Sequence, residues 1–169
     1  MRLFIALPLS EDARRVILDG ADALRAEVPT ANVSRAENLH ITLAFIGESN
    51  RVDALKACID EVCRAPFTVT VGGSGRFGDL IWAGVRVSPP LAALERRLRA
   101  ALTKAGFRLE NRPFRPHITI AREAPVHSLP QIPEVTMAAD RVLLMRSDRQ
   151  NGRLVYTPVY TRLLTSAEA

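Results

Sequence analysis

Two short stretches of the chain carry the same polar side chains at the same spacing. One is His40-Ile41-Thr42-Leu43-Ala44 and the other His117-Ile118-Thr119-Ile120-Ala121. The chain has only three histidines in 169 residues, and two of them fall in this repeated pentapeptide. Side chains alternate faces along a strand. His40 and Thr42 would then project together, as would His117 and Thr119, each pair about 6.6 Å apart at the backbone. Ile41, Leu43, Ile118 and Ile120 would anchor the opposite, packed face. An imidazole titrates near neutrality and can give or take a proton. A threonine hydroxyl can donate to an oxygen on which negative charge builds. Two such strands facing one groove supply a base, an acid and two donors. That set suits in-line displacement at a phosphodiester: the base activates the attacking oxygen, the acid protonates the leaving one, and the hydroxyls hold the non-bridging oxygens. No carboxylate or cysteine lies within either motif, and two histidines without a third ligand make a poor zinc site. No metal and no cofactor are expected. A structural reading, a satisfied histidine beside an ordinary strand threonine, suits one copy better than two. The third histidine, His127, sits in PVHSLP and reads as a surface residue.

Neighbouring residues extend the site. Arg115 shares the face of His117 if the strand already runs there, and guanidinium grips phosphate with paired donors. Arg122 should point away by alternation unless the strand ends first. Phe114, beside the second motif, is the preferred aromatic for stacking on a base. Phe4, Phe45, Trp82 and Tyr156 suit core packing better.

The elements that must hold these strands are legible in outline. Arg2 to Leu7 is a short apolar run closed by Pro8, which predicts a buried strand. Ser10 caps a helix with Glu11 and Asp12 in its first turn, ending at Pro29. A strand follows over His40 to Ile46 and a second helix over Glu48 to Arg64. Phe67 to Val71 and Asp79 to Val87 predict a hairpin, with Gly72, Gly73, Gly75 and Gly78 in an irregular loop. Pro89 and Pro90 open a third helix, from about Leu91 to Ala105, with Gly106 as its C-cap. Strands are then predicted over His117 to Ala121, Gln131 to Met137, Arg141 to Arg146 and Leu154 to Leu163, with Asn151-Gly152 turning the last pair. Mixed strands and helices with many hairpins favour α+β with antiparallel sheets. The motifs fall in corresponding halves, which implies two similar lobes, each giving one histidine strand to a shared groove, within a single unit over 1–169.

Composition is that of a globular domain, 47% hydrophobic and 24% charged. Net charge is +5, and arginine supplies nearly all the basic residues, since Lys56 and Lys104 are the only lysines. Cys58 and Cys63 are five apart with no second pair for zinc, and such sparse use suits a reducing compartment. MRLFIALPLS has too short an apolar run for a secretion signal, and no stretch nears the ~20 apolar residues of a membrane span. A cytoplasmic protein without membrane contact is expected.

The chain resembles the two-histidine phosphoesterases, and most closely the bacterial and archaeal RNA 2′,3′-cyclic phosphodiesterases, also called 2′–5′ RNA ligases. That family carries a pair of H-x-T-x motifs, here HITL at 40–43 and HITI at 117–120. RLFIALPL, ENLHITLAFIGE, FGDLIWAGV, FRPHITIAR and MRSDRQNGRLVYTPV resemble its other conserved segments, in order and over nearly the whole length, with Ser147 and Tyr156 at their usual places. The segment before the first motif, ANVSRAEN, lacks an aromatic residue common there, and Ile120 stands where leucine is common. The resemblance implies a bilobal, pseudo-symmetric fold in which two antiparallel sheets form a central groove with helices outside. It implies metal-independent hydrolysis of an RNA or nucleotide 2′,3′-cyclic phosphate to a 2′-phosphomonoester. His40 would be the proton donor to the 3′ oxygen, His117 the base for water, and Thr42 and Thr119 the phosphate holders. Arg115, Arg122 and Phe114 would bind substrate. The reverse reaction with a 5′-hydroxyl would form a 2′–5′ linkage. The partners expected are RNA ends or nucleotides, with a monomer and no obligatory protein partner. The alternatives are a nucleotide- or RNA-end-binding module of the same fold without turnover, and a phosphodiesterase for another small cyclic nucleotide.

Overall fold

The computed structural model describes residues 1–165. Strand β1 (Arg2–Pro8) leads into helix α1 (Glu11–Glu27), whose N-terminus is held by Ser10 Oγ accepting from the Ala13 N–H at 3.1 Å. A two-residue strand β2 (Asn32–Val33) and a 3-10 turn (Ala36–Asn38) precede β3 (His40–Glu48). Helix α2 (Val52–Val62), the hairpin β4 (Phe67–Phe77) and β5 (Leu80–Val85), and helix α3 (Pro89–Lys104) follow. The rest is strand: β6 (His117–Arg122), β7 (Val135–Ala139), β8 (Arg141–Gln150) and β9 (Arg153–Leu163). No helix is long and apolar enough to cross a membrane among the described residues.

Two sheets form, with all pairings antiparallel. One has the order β3-β1-β8-β9 and the other β2-β6-β5-β4-β7. Strand β1 explains its own apolar sequence, because both of its faces are covered. Leu3, Ile5 and Leu7 enter the main core, while Phe4 and Ala6 join Met145 in a small cluster on the inner face. The first sheet curls so far that its edges approach. The Asn38 amide N–H, just before β3, donates to the Leu154 carbonyl of β9 at 2.9 Å.

The lobes are not consecutive halves of the chain. The first sheet takes β1 and β3 from the N-terminal half and β8 and β9 from the C-terminus; the second takes β2 from the opening third. Helix α1 packs on β6 and β7, whereas α2 lies against β8 and β9. Strand β2 escapes sequence inspection because two residues carry no periodicity. The glycine-rich stretch expected as a loop is instead the continuation of β4 to Phe77, bent by a bulge between Val71 and Ser74. Its glycines serve close approach: a Cβ on Gly75 would come within 2.2 Å of the Trp82 ring, which lies across the strand. Strand β8 runs on to Gln150, and Asn151 and Gly152, both at positive φ, turn it into β9.

Candidate active site

His40 opens β3 and His117 opens β6, on different sheets that approach each other. Both project into one groove of about 530 Å³, together with Thr42 and Thr119. The two motifs hold their imidazoles alike. Nδ1 of His40 donates to the Asn38 carbonyl at 2.7 Å, and Nδ1 of His117 to the Arg115 carbonyl at 2.8 Å. A carbonyl can only accept, so the proton of each neutral ring sits on Nδ1 and Nε2 carries the lone pair. His40 Nε2 lies 2.8 Å from Thr42 Oγ1. His117 Nε2 has no such partner among the described residues.

Their surroundings differ. The His40 ring is half-buried between Phe4, centroids 4.8 Å apart, and the edge-on ring of Tyr156 at 5.3 Å. Burial lowers its pKa from 6.5; the Asn38 carbonyl opposes that, and the nearby His117 lowers it further. His117 meets Phe77 edge-on at 5.3 Å, and Phe77 leans on Trp82 at 5.4 Å. Burial raises the Tyr156 pKa, against the pull of Arg122, Arg149 and Arg2.

Arg122 also lines the groove, although simple alternation from Thr119 would turn it away. The register supplies the reason. Trp82 pairs with Thr119 and Ile81 with Ala121, so Ile120 is an extra residue on β6. In β3, Ala6 pairs with Thr42 and Ile5 with Ala44, which leaves Leu43 extra. Each motif therefore ends in a β-bulge at its fourth position. Leu43 with Ala44, and Ile120 with Ala121, face the core in succession, and the sixth residue swings back to the groove. That residue is Phe45 in one strand, 66% exposed, and Arg122 in the other. The shared pentapeptide thus encodes a backbone shape as well as two polar groups.

Two expected residues lie elsewhere. Strand β6 begins only at His117, after the Pro113 and Pro116 interruptions, so alternation does not reach Arg115. Its side chain is exposed and does not line the groove; its carbonyl is what meets the histidine. Phe114 packs against the main core, not into the groove. Sequence inspection also missed Asn38, Arg149 and Arg153. Their positions depend on the curl of the first sheet, which leaves no local pattern. Among the described residues no group of three or more His, Cys, Asp or Glu is placed to hold a metal.

A family model described as the 2′-5′ RNA ligase superfamily matches residues 11–151. The chain is 33% identical to an RNA 2′,3′-cyclic phosphodiesterase of Geobacillus stearothermophilus over 93% of its own length, and spans about half (54%) of that protein. It is 32% identical to the RNA 2′,3′-cyclic phosphodiesterase of Escherichia coli over 97% of each. The crystal structure of E. coli LigT complexed with 3′-AMP superposes with a TM-score of 0.84 at 32% identity, covering 98% of both chains.

Proposed function

The chain belongs to the 2′-5′ RNA ligase superfamily, and from that premise we propose that it hydrolyses terminal 2′,3′-cyclic phosphates of RNA to 2′-phosphomonoesters. The observation that carries this reading is the pair of imidazoles, each fixed through Nδ1 on a backbone carbonyl, with Nε2 available to one groove that holds no carboxylate. Two proton-transfer groups on opposite sides of a cationic cleft fit in-line attack at phosphorus. A carboxylate there would repel the substrate, and two nitrogen donors alone do not make a zinc site.

In this mechanism His117 Nε2 takes a proton from water as the water oxygen bonds to phosphorus. The bond from phosphorus to the 3′ oxygen breaks, and His40 Nε2 gives that oxygen its proton. The products are a 2′-phosphomonoester and a free 3′-hydroxyl. Proton exchange with solvent then resets both rings. In the free protein burial favours neutral His40, and the bound phosphodiester anion supplies the field that protonates it.

Thr42 ties the two events together. While His40 is neutral, its Nε2 accepts the Thr42 hydroxyl proton. Once protonated, Nε2 can no longer accept, so the hydroxyl hydrogen is released toward a phosphate oxygen while the Nε2 proton is directed to the 3′ oxygen. Thr119 and Arg122 hold the remaining charge, and Phe45 offers its exposed ring to the terminal base. The two lobes act as one unit, since each supplies one proton-transfer group. With a 5′-hydroxyl in place of water, the reverse path forms a 2′–5′ linkage.

The direct test is product analysis on an oligonucleotide ending in a 2′,3′-cyclic phosphate. A 2′-phosphate is expected; a 3′-phosphate, or unchanged substrate, would exclude this chemistry. Turnover is expected to persist in excess chelator, and its restoration by a divalent ion after loss would reveal a missed ligand set.

A further inference from the structure

The groove does not end at the terminal nucleotide. Beyond Tyr156 it opens into a second recess of about 570 Å³, formed around the tip of the β8–β9 hairpin. The two spaces share Arg35, Asn38, Arg153 and Tyr156, so they are continuous past that wall. Four arginines and two histidines line the groove, and no carboxylate does. One phosphate at the two motifs does not account for so many cations.

The arginines differ in what they already hold. Arg35 is paired with Glu37. Arg149 and Arg153 have no carboxylate within ion-pair distance among the described residues, and the Arg149 guanidinium donates only to the Gly152 carbonyl at 3.4 Å. Both sit beside the Asn151-Gly152 turn, on paired strands: Arg149 opposite Leu154, and Arg153 opposite Gln150. Arg153 lies three residues along β9 from Tyr156, roughly 10 Å at the backbone, and Tyr156 is the ring that meets His40. Arg153, set back that far and left unneutralised, borders both spaces and faces a second anion rather than the reacting one. Arg149 lines only the groove, close enough to Tyr156 to act on its hydroxyl, and suits the linkage nearest the reacting nucleotide. At ordinary ionic strength a separation of about 10 Å is already a Debye length.

From this we infer that Arg149 and Arg153 bind the phosphodiester linkages upstream of the reacting nucleotide. The RNA strand runs from the histidines past Tyr156 into the recess at the hairpin tip. The protein then acts on the ends of RNA chains in preference to cyclic mononucleotides. This rests on the reading of the groove as a phosphodiesterase site.

The test compares kcat/KM for a 2′,3′-cyclic mononucleotide and for a tetranucleotide ending in the same cyclic phosphate. Wild type and Arg149→Gln/Arg153→Gln are measured from about 50 to 200 mM salt. Wild type should prefer the oligonucleotide, and two single-strand phosphate contacts should make that preference fall about sevenfold across the range. In the double variant the oligonucleotide-to-mononucleotide ratio should drop toward one and lose its salt dependence. No preference in wild type, or an equal loss on both substrates in the variant, would overturn the inference. Failure of wild type to turn over either substrate would instead overturn the phosphodiesterase reading. Binding of a 2′-phosphate-terminated tetranucleotide, followed by anisotropy in both proteins, tests the arginine track independently of turnover: equal affinity would overturn it.

Discussion

At the scale of single residues, the two histidines share a tautomer and differ in environment, and the difference is measurable. The folded-state pKa of His40 lies below 6.5, lowered mainly by burial. The unfolded chain therefore takes up the proton first as pH falls. Stability from this residue is present above about pH 6.5 and is lost as pH drops through the lowered folded value. Denaturant melts across that window should show the slope in wild type and a smaller one in His40→Ala; identical slopes would mean the ring is not desolvated. Because His40 packs between Phe4 and Tyr156, His40→Ala should cost about 1–2 kcal/mol, more than His117→Ala. Either substitution should lower turnover about 10²-fold or more. On an aryl phosphodiester whose leaving group needs no proton, His40→Ala should regain activity and His117→Ala should not. Recovery of His117→Ala alone would reverse the assigned roles. The pH–rate curve should be a bell whose limbs belong to the coupled pair.

At the scale of elements, the bulge after each threonine decides which side chain joins the site. The sequence displayed the repeat HITLA/HITIA plainly, and alternation correctly put His and Thr together. It could not display the bulge, because an inserted residue is visible only against its partner strand. Phe45 was misjudged for that reason, and alternation alone turned Arg122 away although the family resemblance kept it in the site, where it lies. Arg115 stays outside because β6 starts at His117, so alternation does not reach it. Helices α1 and α3 were legible from their serine and proline starts, which act locally. Strand β4 was truncated in the reading because glycine is a general strand breaker. Here the absence of a side chain at Gly75 makes room for Trp82, which in turn supports Phe77 against His117. Gly75→Ala should push the indole aside, at about 1–3 kcal/mol, and lower turnover on the aryl substrate, where only the base is needed. Full activity with displaced Trp82 would show that Phe77 does not position His117.

At the scale of the whole molecule, the sheets interlace and the first is drawn closed by one side-chain hydrogen bond, from Asn38 to Leu154. Asn38→Ala should cost about 1–2 kcal/mol, and it should loosen β9, which carries both Tyr156 and Arg153. Hydrogen exchange should then rise in β9 while β4 and β5 stay protected; uniform protection would mean the curl stands without this bond. The interlacing also means that neither lobe can be cut out at one point in the chain, so no simple truncation isolates either half of the site. There remains the single tryptophan. Trp82 pairs with Thr119 across the strands and touches Phe77, which touches His117. The intrinsic fluorescence of the protein is therefore a one-sided optical probe. It should respond when a ligand engages the His117 strand and stay silent when only the His40 side is occupied, so engagement of the His117 half can be timed by itself without any attached dye.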